Sequence, residues 1–123
     1  MRSTGRMALA AGTVALSAAA TGWAQTDFPS KPVRLIIPFA PGGGNDTMAR
    51  ALGTRLGELW GRQVLPDNRA GAGGLIACEM TAKAAPDGYT LLMANIATHA
   101  IAPALYKTIP FDPIKDHAPV ALL

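Results

Sequence analysis

The chain has 123 residues, and half of them are apolar, which is enough for one small domain with a hydrophobic core. Its formal charge of +3 comes from 11 Lys and Arg residues against 8 Asp and Glu residues, but Arg2 and Arg6 lie in a predicted leader peptide. Because the remaining charges of both signs are interspersed, the composition argues against a nucleic-acid-binding protein. A single cysteine, Cys78, excludes an internal disulfide, and we expect it to be buried.

Residues 1–24 have the pattern of a cleaved signal peptide. The positively charged segment MRSTGR precedes the apolar segment MALAAGTVALSAAA, which is too short to span a bilayer. Gly22 and Ala24 supply the small residues before a cleavage site, so Gln25 becomes the first residue of the mature chain. An uncleaved membrane anchor is the alternative, but the short apolar segment favours export to the periplasm. The remaining residues, 25–123, form the predicted domain.

The first elements of this domain are a strand, a glycine-rich loop and a helix. Residues 33–39, VRLIIPF, are almost continuously apolar and predict a buried strand. The loop APGGG leads into a helix that Asn45 or Asp46 can cap and that Gly61 can end. The apolar face of this helix carries Met48, Leu52, Leu56, Leu59 and Trp60.

The same order then recurs. Residues 62–68 predict a short strand, residues 69–74 form a second glycine-rich turn, and residues 75–84 predict a second helix. Within this helix, Glu79 and Lys83 have the spacing of a helical ion pair.

The last elements complete an alternating pattern. After a turn, residues 89–95 predict a third strand, residues 96–103 predict a strand end and a short helix, and residues 120–123 predict the start of another strand. Alternation of strands and helices predicts an α/β fold with a largely parallel sheet. Such sheets bind ligands at the carboxyl ends of their strands, which is where both glycine-rich loops are expected.

The loop from Pro41 to Asp46 has the features of an anion site. Its three glycines let a ligand approach the backbone, and they precede a helix whose first N–H groups are unpaired. A tight turn without a ligand is the alternative. Nucleotide-binding patterns do not fit, because no Lys-Ser or Lys-Thr pair follows the glycines and Thr47 occupies the last glycine position of the dinucleotide pattern. Asp46 either caps the helix or receives a ligand ammonium or hydroxyl group.

Other polar residues give no sign of catalysis. Arg69 could pair with a ligand carboxylate, but its position ahead of the glycines favours a structural role, such as holding Asp67. Thr98 follows the third strand at the same edge and could donate its hydroxyl to an anion, whereas we expect His99 to cap or pack at a helix start. The sequence contains no zinc-ligand spacing, no nucleophile motif and no paired carboxylates. It therefore predicts binding without turnover and without a metal.

Four segments match a family pattern in their order and spacing. They are PSKPVRLIIPFAPGGGNDTMAR, DNRAGAGG, KAAPDGYTLLMA and HAIAPALYKTIPFDPIKDHAPV. Together they resemble the Bug family, the substrate-binding receptors of tripartite tricarboxylate transporters, from about Phe28 to Val120. The resemblance implies a periplasmic binding protein with two α/β lobes and a cleft between them.

The resemblance also implies a ligand and binding residues. Family members capture small carboxylates without a cofactor and deliver them to membrane subunits of the transporter. The turn after the first strand closes on a ligand carboxylate, and the segment after the third strand lines the same cleft. The implied binding residues are Pro41, Gly42, Gly43, Gly44, Asp46, Ala94 and Thr98. We expect a monomer, and an exported enzyme domain acting on a carboxylate or phosphate ester remains the alternative.

Family members continue into a second lobe and then return to complete the first, whereas this sequence ends at Leu123. The resemblance therefore implies an incomplete first lobe, an N-terminal fragment without the opposing lobe. We expect such a fragment to be marginally folded or unfolded by itself and to bind no carboxylate detectably.

Overall fold

The computed structural model describes residues 27–123, so the predicted signal peptide, residues 1–24, lies outside the described residues. In chain order the elements are β1 (Val33–Ile37), α1 (Gly44–Trp60), β2 (Val64–Asn68), α2 (Leu75–Ala82), β3 (Thr90–Leu92) and α3 (Ala102–Leu105). A 3₁₀ turn at Ala72–Gly74 leads into α2, and a π-helical segment at Ala97–Ile101 leads into α3. Across residues 27–123, no helix combines the length and the apolar character needed to cross a membrane.

The three strands form one parallel sheet in the order β2–β1–β3. The central strand β1 has neighbours on both sides, and its residues Val33, Ile36 and Ile37 are fully buried, as expected for an apolar run in a parallel sheet. Because the strands are parallel, the loops that follow them all leave from the same edge. The α/β fold with a parallel sheet that the sequence predicts is confirmed.

Helices α1 and α2 cover opposite faces of the sheet. The apolar cluster beneath α1 contains Leu91 with Leu35, Ile37, Ala49 and Met93. The cluster beneath α2 contains Leu92 with Leu75, Cys78, Ala102 and Phe111. Since Leu91 and Leu92 are adjacent in β3, they point to opposite faces. The expected burial of Cys78 is confirmed within the second cluster.

The face of α1 that packs on the sheet differs from the predicted apolar face. Its buried residues are Asp46, Ala49 and Gly53. A Cβ atom on Gly53 would lie 3.4 Å from Val64 Cγ1, so small residues let the helix lie close to β2. The predicted apolar face is only partly covered, with Leu52, Leu56 and Trp60 half-buried and Met48 and Leu59 exposed.

Several predicted boundaries also change. Helix α1 has Gly43 as its N-cap rather than Asn45 or Asp46, while Gly61 ends it in the left-handed conformation as predicted. Strand β1 ends two residues earlier than predicted, and β3 has three residues rather than seven. Residues 120–123 are not a strand, and the described part of the chain places no strand beside the free edge of β3.

Candidate functional site

The loops that follow β1, β2 and β3 meet at the carboxyl edge of the sheet. All three loops come close together at Gly74, where an added Cβ atom would lie 2.7 Å from Thr98 Cγ2 and 3.0 Å from Pro38 Cβ. Gly74 also has a φ of +93°, a conformation that favours glycine. The prediction that both glycine-rich loops lie at one edge is therefore confirmed.

The loop between β1 and α1 presents unpaired backbone donors. Gly42 has a φ of +91°, and the N-cap Gly43 is extended, with its carbonyl oxygen accepting from the Thr47 N–H at 3.0 Å. Among the described residues, none accepts a hydrogen bond from the N–H of Gly43, Gly44 or Asn45. Residues 41–44 are exposed. These donors and the helix dipole together favour an anion in front of α1.

Asp46 anchors this loop. Its side chain is buried, and its Oδ2 accepts from the Gly42 N–H at 2.9 Å. Arg50 Nε lies 3.0 Å from both carboxylate oxygens, and Asn68 Nδ2 donates to Oδ1 at 3.0 Å. The hydrogen bond from Arg50, followed by those from Gly42 and Asn68, lowers the pKa of Asp46 to about 2. Asp46 does not cap α1, because the N-cap is Gly43 and no side chain among the described residues caps the helix. Its carboxylate instead accepts from the N–H of Gly42, one residue before the N-cap, and so holds the turn.

Asn68 is a polar residue of this site that the sequence did not single out. Its Nδ2 donates to the Phe39 carbonyl oxygen as well as to Asp46, both at 3.0 Å, and its Oδ1 accepts from Arg50 Nη2 at 3.1 Å. The sequence signal that could have identified Asn68 is its position as a polar residue at the end of a predicted strand, just ahead of a glycine-rich turn. Its partners lie 29 and 22 residues earlier, so sequence spacing could not identify them.

Arg69 forms the ion pair that the sequence favoured. Its Nε lies 2.8 Å from Asp67 Oδ1, and Arg34 pairs with the same carboxylate. These contacts, with that from Arg34 the largest, lower the pKa of Asp67. Arg69 is thus held beside the end of β2, in a structural role.

The segment after β3 places Ala94 and Thr98 in different surroundings. Ala94 is exposed and lines a groove together with Asn45, Asn95 and His99. Thr98 is fully buried, with its Oγ1 donating to the Asn95 carbonyl oxygen at 3.1 Å and lying 2.9 Å from His99 Nδ1. Its hydroxyl therefore has partners inside the protein, and the predicted contact of Thr98 with a ligand stays a prediction.

His99 and His117 lie together, although the sequence places them far apart. Their ring centroids are 5.0 Å apart, and Phe111 packs against both rings. Burial, and to a lesser extent His117, lowers the pKa of His99. The expectation that His99 packs at a helix start is supported, whereas the closeness of His117 was missed because only folding of the Pro-rich segment brings it there.

The groove has a volume of about 1250 Å³ and runs along β3. Its polar end is the carboxyl edge, with Asn45, Asn95 and His99. Its apolar lining includes Leu52, Leu56, Trp60, Leu91 and Met93. The volume exceeds the roughly 300–1000 Å³ of small-molecule pockets, so a small ligand would fill only part of the groove.

Comparison with known proteins identifies relatives of this chain. The protein-family model described as the tripartite tricarboxylate transporter family receptor matches residues 48–123. BugT of Bordetella pertussis is 43% identical over 97 residues, which cover 78% of this chain and 30% of BugT. The chain spans about a third of the length of the curated relatives it matches.

Solved structures agree in fold. MatC from Rhodopseudomonas palustris, solved with bound malate, has a TM-score of 0.75 and 42% identity, covering 78% of this chain and 33% of MatC. The R. palustris protein Rpa4515, solved with adipate, has a TM-score of 0.69 and 39% identity, covering 71% of this chain and 29% of Rpa4515. Because the family model covers more than half of the chain and the solved relatives share its fold, the chain belongs to the family of tripartite tricarboxylate transporter receptors.

Proposed function

We propose that this chain supplies the first carboxylate-binding lobe of a solute receptor for a tripartite tricarboxylate transporter. The observation that carries the proposal is the set of unpaired N–H groups at Gly43, Gly44 and Asn45, on a loop whose shape is held by partly buried hydrogen bonds. Such a set of N–H groups suits a carboxylate, which needs several hydrogen-bond donors but no deep pocket. The malate and adipate in MatC and Rpa4515 support a dicarboxylate.

The proposed binding residues have three kinds of role. In the loop formed by Pro41, Gly42, Gly43 and Gly44, the last two glycines donate to the ligand. Asp46 and Thr98 are buried and shape the backbone on either side, while Ala94 lines the polar end of the groove. Enclosure of the ligand requires a second lobe, because small-ligand pockets bury most of the ligand surface.

Export and delivery follow from the same proposal. The leader pattern of residues 1–24 directs the chain to the periplasm, where it acts as a monomer, captures the carboxylate and hands it to membrane subunits without chemical turnover. Mass spectrometry of periplasmic protein should give Gln25 as the first residue. The intact Met1 form in the cytoplasm would contradict export.

Calorimetry on a fusion of residues 25–123 to the remaining part of MatC tests binding. We expect the fusion to bind malate or adipate and to show no heat of binding with the corresponding dimethyl esters, which lack the charge. MatC carrying residues 39–50 of this chain is a second protein for the same measurement, and it tests the loop alone. A folded fusion and a folded loop exchange that both fail to bind either acid would refute the proposal.

A further inference from the structure

One side chain at the end of β2 bonds to both ends of the loop that follows β1. Asn68 Nδ2 donates to the Phe39 carbonyl oxygen, where the loop begins, and to Asp46 Oδ1, where α1 has begun, both at 3.0 Å. The geometry points to Asn68 as a positioning residue that keeps the N–H groups of Gly43 and Gly44 aligned for a carboxylate. This inference rests on the proposed function for its ligand, but it concerns a residue outside the binding loop.

The amide group of Asn68 matches its partners in number and kind. Its two N–H bonds donate to two oxygens, and its Oδ1 accepts from Arg50 Nη2 at 3.1 Å. An Asp at this position would lack both donors, and a Leu of similar size would lack donors and acceptor. The opposite orientation of the amide would place Oδ1 against two other oxygens, so its partners also define which atom points where.

Asp46 connects Asn68 to the turn through hydrogen bonds. Its buried carboxylate accepts from the N–H of Gly42, the residue whose φ of +91° sets the direction of the turn. Arg50 also bonds to Asp46, but its side chain is 51% exposed, so water screens part of that ion pair. The bond from Asn68 is therefore the contact that ties Asp46, and with it Gly42, to the sheet.

Asn68 itself rests on a fixed backbone. It is the last residue of β2 and lies opposite Ile37 of β1. The preceding residue, Asp67, pairs with both Arg34 and Arg69. Because Arg34 lies on β1, sliding β2 along β1 would break its contact with Asp67. Asn68 therefore fixes the first glycine-rich loop relative to the sheet. The same strand end begins the second loop, so the network links the two.

Amide hydrogen exchange of the ¹⁵N-labelled chain, without ligand, tests this role separately from carboxylate binding. In Asn68→Ala we expect the Gly42 N–H to exchange about five- to tenfold faster, the effect of losing one hydrogen bond from the network. Asn68→Asp should exceed this effect, because a second carboxylate beside Asp46 repels the first. Amides of β1 should exchange at unchanged rates, which a general loss of stability would not allow. Gln63→Ala, which changes an exposed residue just before β2, is the matched control. It should change neither the exchange rate of the Gly42 N–H nor those of the β1 amides.

The pKa of Asp46, followed by ¹³C NMR, is the second readout. It should rise in Asn68→Ala, rise further in Asn68→Asp and stay unchanged in Gln63→Ala. If either variant fails to fold, Asn68→Ser keeps one donor and should give a smaller change in the same direction. Unchanged Gly42 exchange with an unchanged Asp46 pKa would overturn the inference, as would equal acceleration throughout β1. Since no ligand is added, absent malate binding in the calorimetry would count against the proposed function alone.

Discussion

At the scale of single residues, the loop ahead of α1 is built to hold its own shape. Asp46 is only 5% exposed, and its carboxylate accepts hydrogen bonds from Gly42, Arg50 and Asn68. The carboxylate is therefore occupied by the protein, while the N–H groups of Gly43, Gly44 and Asn45 have no acceptor among the described residues. A negative residue can stand beside the proposed anion site because Arg50 neutralises its charge and Asn68 donates a hydrogen bond to it.

Asp46 should make the stability of the chain sensitive to acid. Its pKa falls from 3.8 to about 2 on folding, so its contribution is fully present above the unfolded value and is lost as pH falls from 3.8 towards 2. We expect Asp46→Asn to have a lower free energy of unfolding at neutral pH and a shallower decline across that acidic interval. Urea unfolding at a series of pH values measures this, with Glu58→Gln on the exposed side of α1 as control. An equally steep decline in Asp46→Asn would contradict the assigned role.

Neighbouring glycines of the loop should respond differently to a side chain. Gly43 is extended (φ −81°, ψ 171°), and a Cβ atom there would come no closer than 3.9 Å to Ala40 O. Gly43→Val should therefore fold normally but, in the fusion with MatC, weaken malate binding about tenfold to a hundredfold by displacing a charged hydrogen bond. Gly42→Val should instead lose about 1–2 kcal/mol of stability, because its φ is left-handed. Thermal unfolding and calorimetry separate the two effects, and unchanged malate affinity in Gly43→Val would exclude Gly43 from the site.

At the scale of elements, the order of strands and helices was predictable, whereas the packing of α1 was not. Alternating apolar runs and glycine-rich loops suffice to predict a parallel sheet with its loops at one edge. The helical periodicity of α1 predicts that its large apolar residues face the sheet. The helix instead packs on the sheet through Ala49 and Gly53, because small residues allow a close approach. Asn68 and His117 were missed for a related reason, since their partners are distant in sequence and only the tertiary fold brings them together.

Gly74 should be the most sensitive contact between these elements. An alanine there would place its Cβ atom within 3.0 Å of both Thr98 and Pro38, on a backbone with a φ of +93°. We expect Gly74→Ala to cost about 2–4 kcal/mol, combining overpacking with left-handed strain. Gly44→Ala, at the open first turn of α1, is the control and should leave stability unchanged or slightly raised. Chemical denaturation measures both, and a loss below about 1 kcal/mol in Gly74→Ala would show that the loops can move apart.

At the scale of the whole molecule, the described chain leaves an apolar surface open beside β3. Leu56 and Trp60 line the groove of about 1250 Å³ there and are only half-buried. An open apolar surface next to an unpaired strand edge favours association and weakens an isolated domain. The chain spans about a third of its relatives, and we propose that further protein covers this surface in a complete receptor.

Residues 25–123 alone should therefore bind an apolar dye such as ANS and unfold at a temperature that carboxylates do not raise. Leu56→Glu, within the groove, should reduce dye binding. Leu59→Glu is the matched control, because Leu59 lies on the same helix, is 66% exposed and does not line the groove. A cooperative transition that malate or adipate shifts upwards would show that this lobe binds carboxylate by itself.

The most direct test is an NMR titration of the ¹⁵N-labelled fusion of residues 25–123 to the remaining part of MatC with malate. If the loop holds the carboxylate through its backbone, the largest amide shifts within residues 27–123 should fall on Gly43, Gly44 and Asn45. Amides at the opposite edge of the sheet, such as Val64, should stay in place, and the dimethyl ester of malate should shift none of them. Malate binding with its largest shifts elsewhere in this lobe, or with no response at Gly43 and Gly44, would contradict the account.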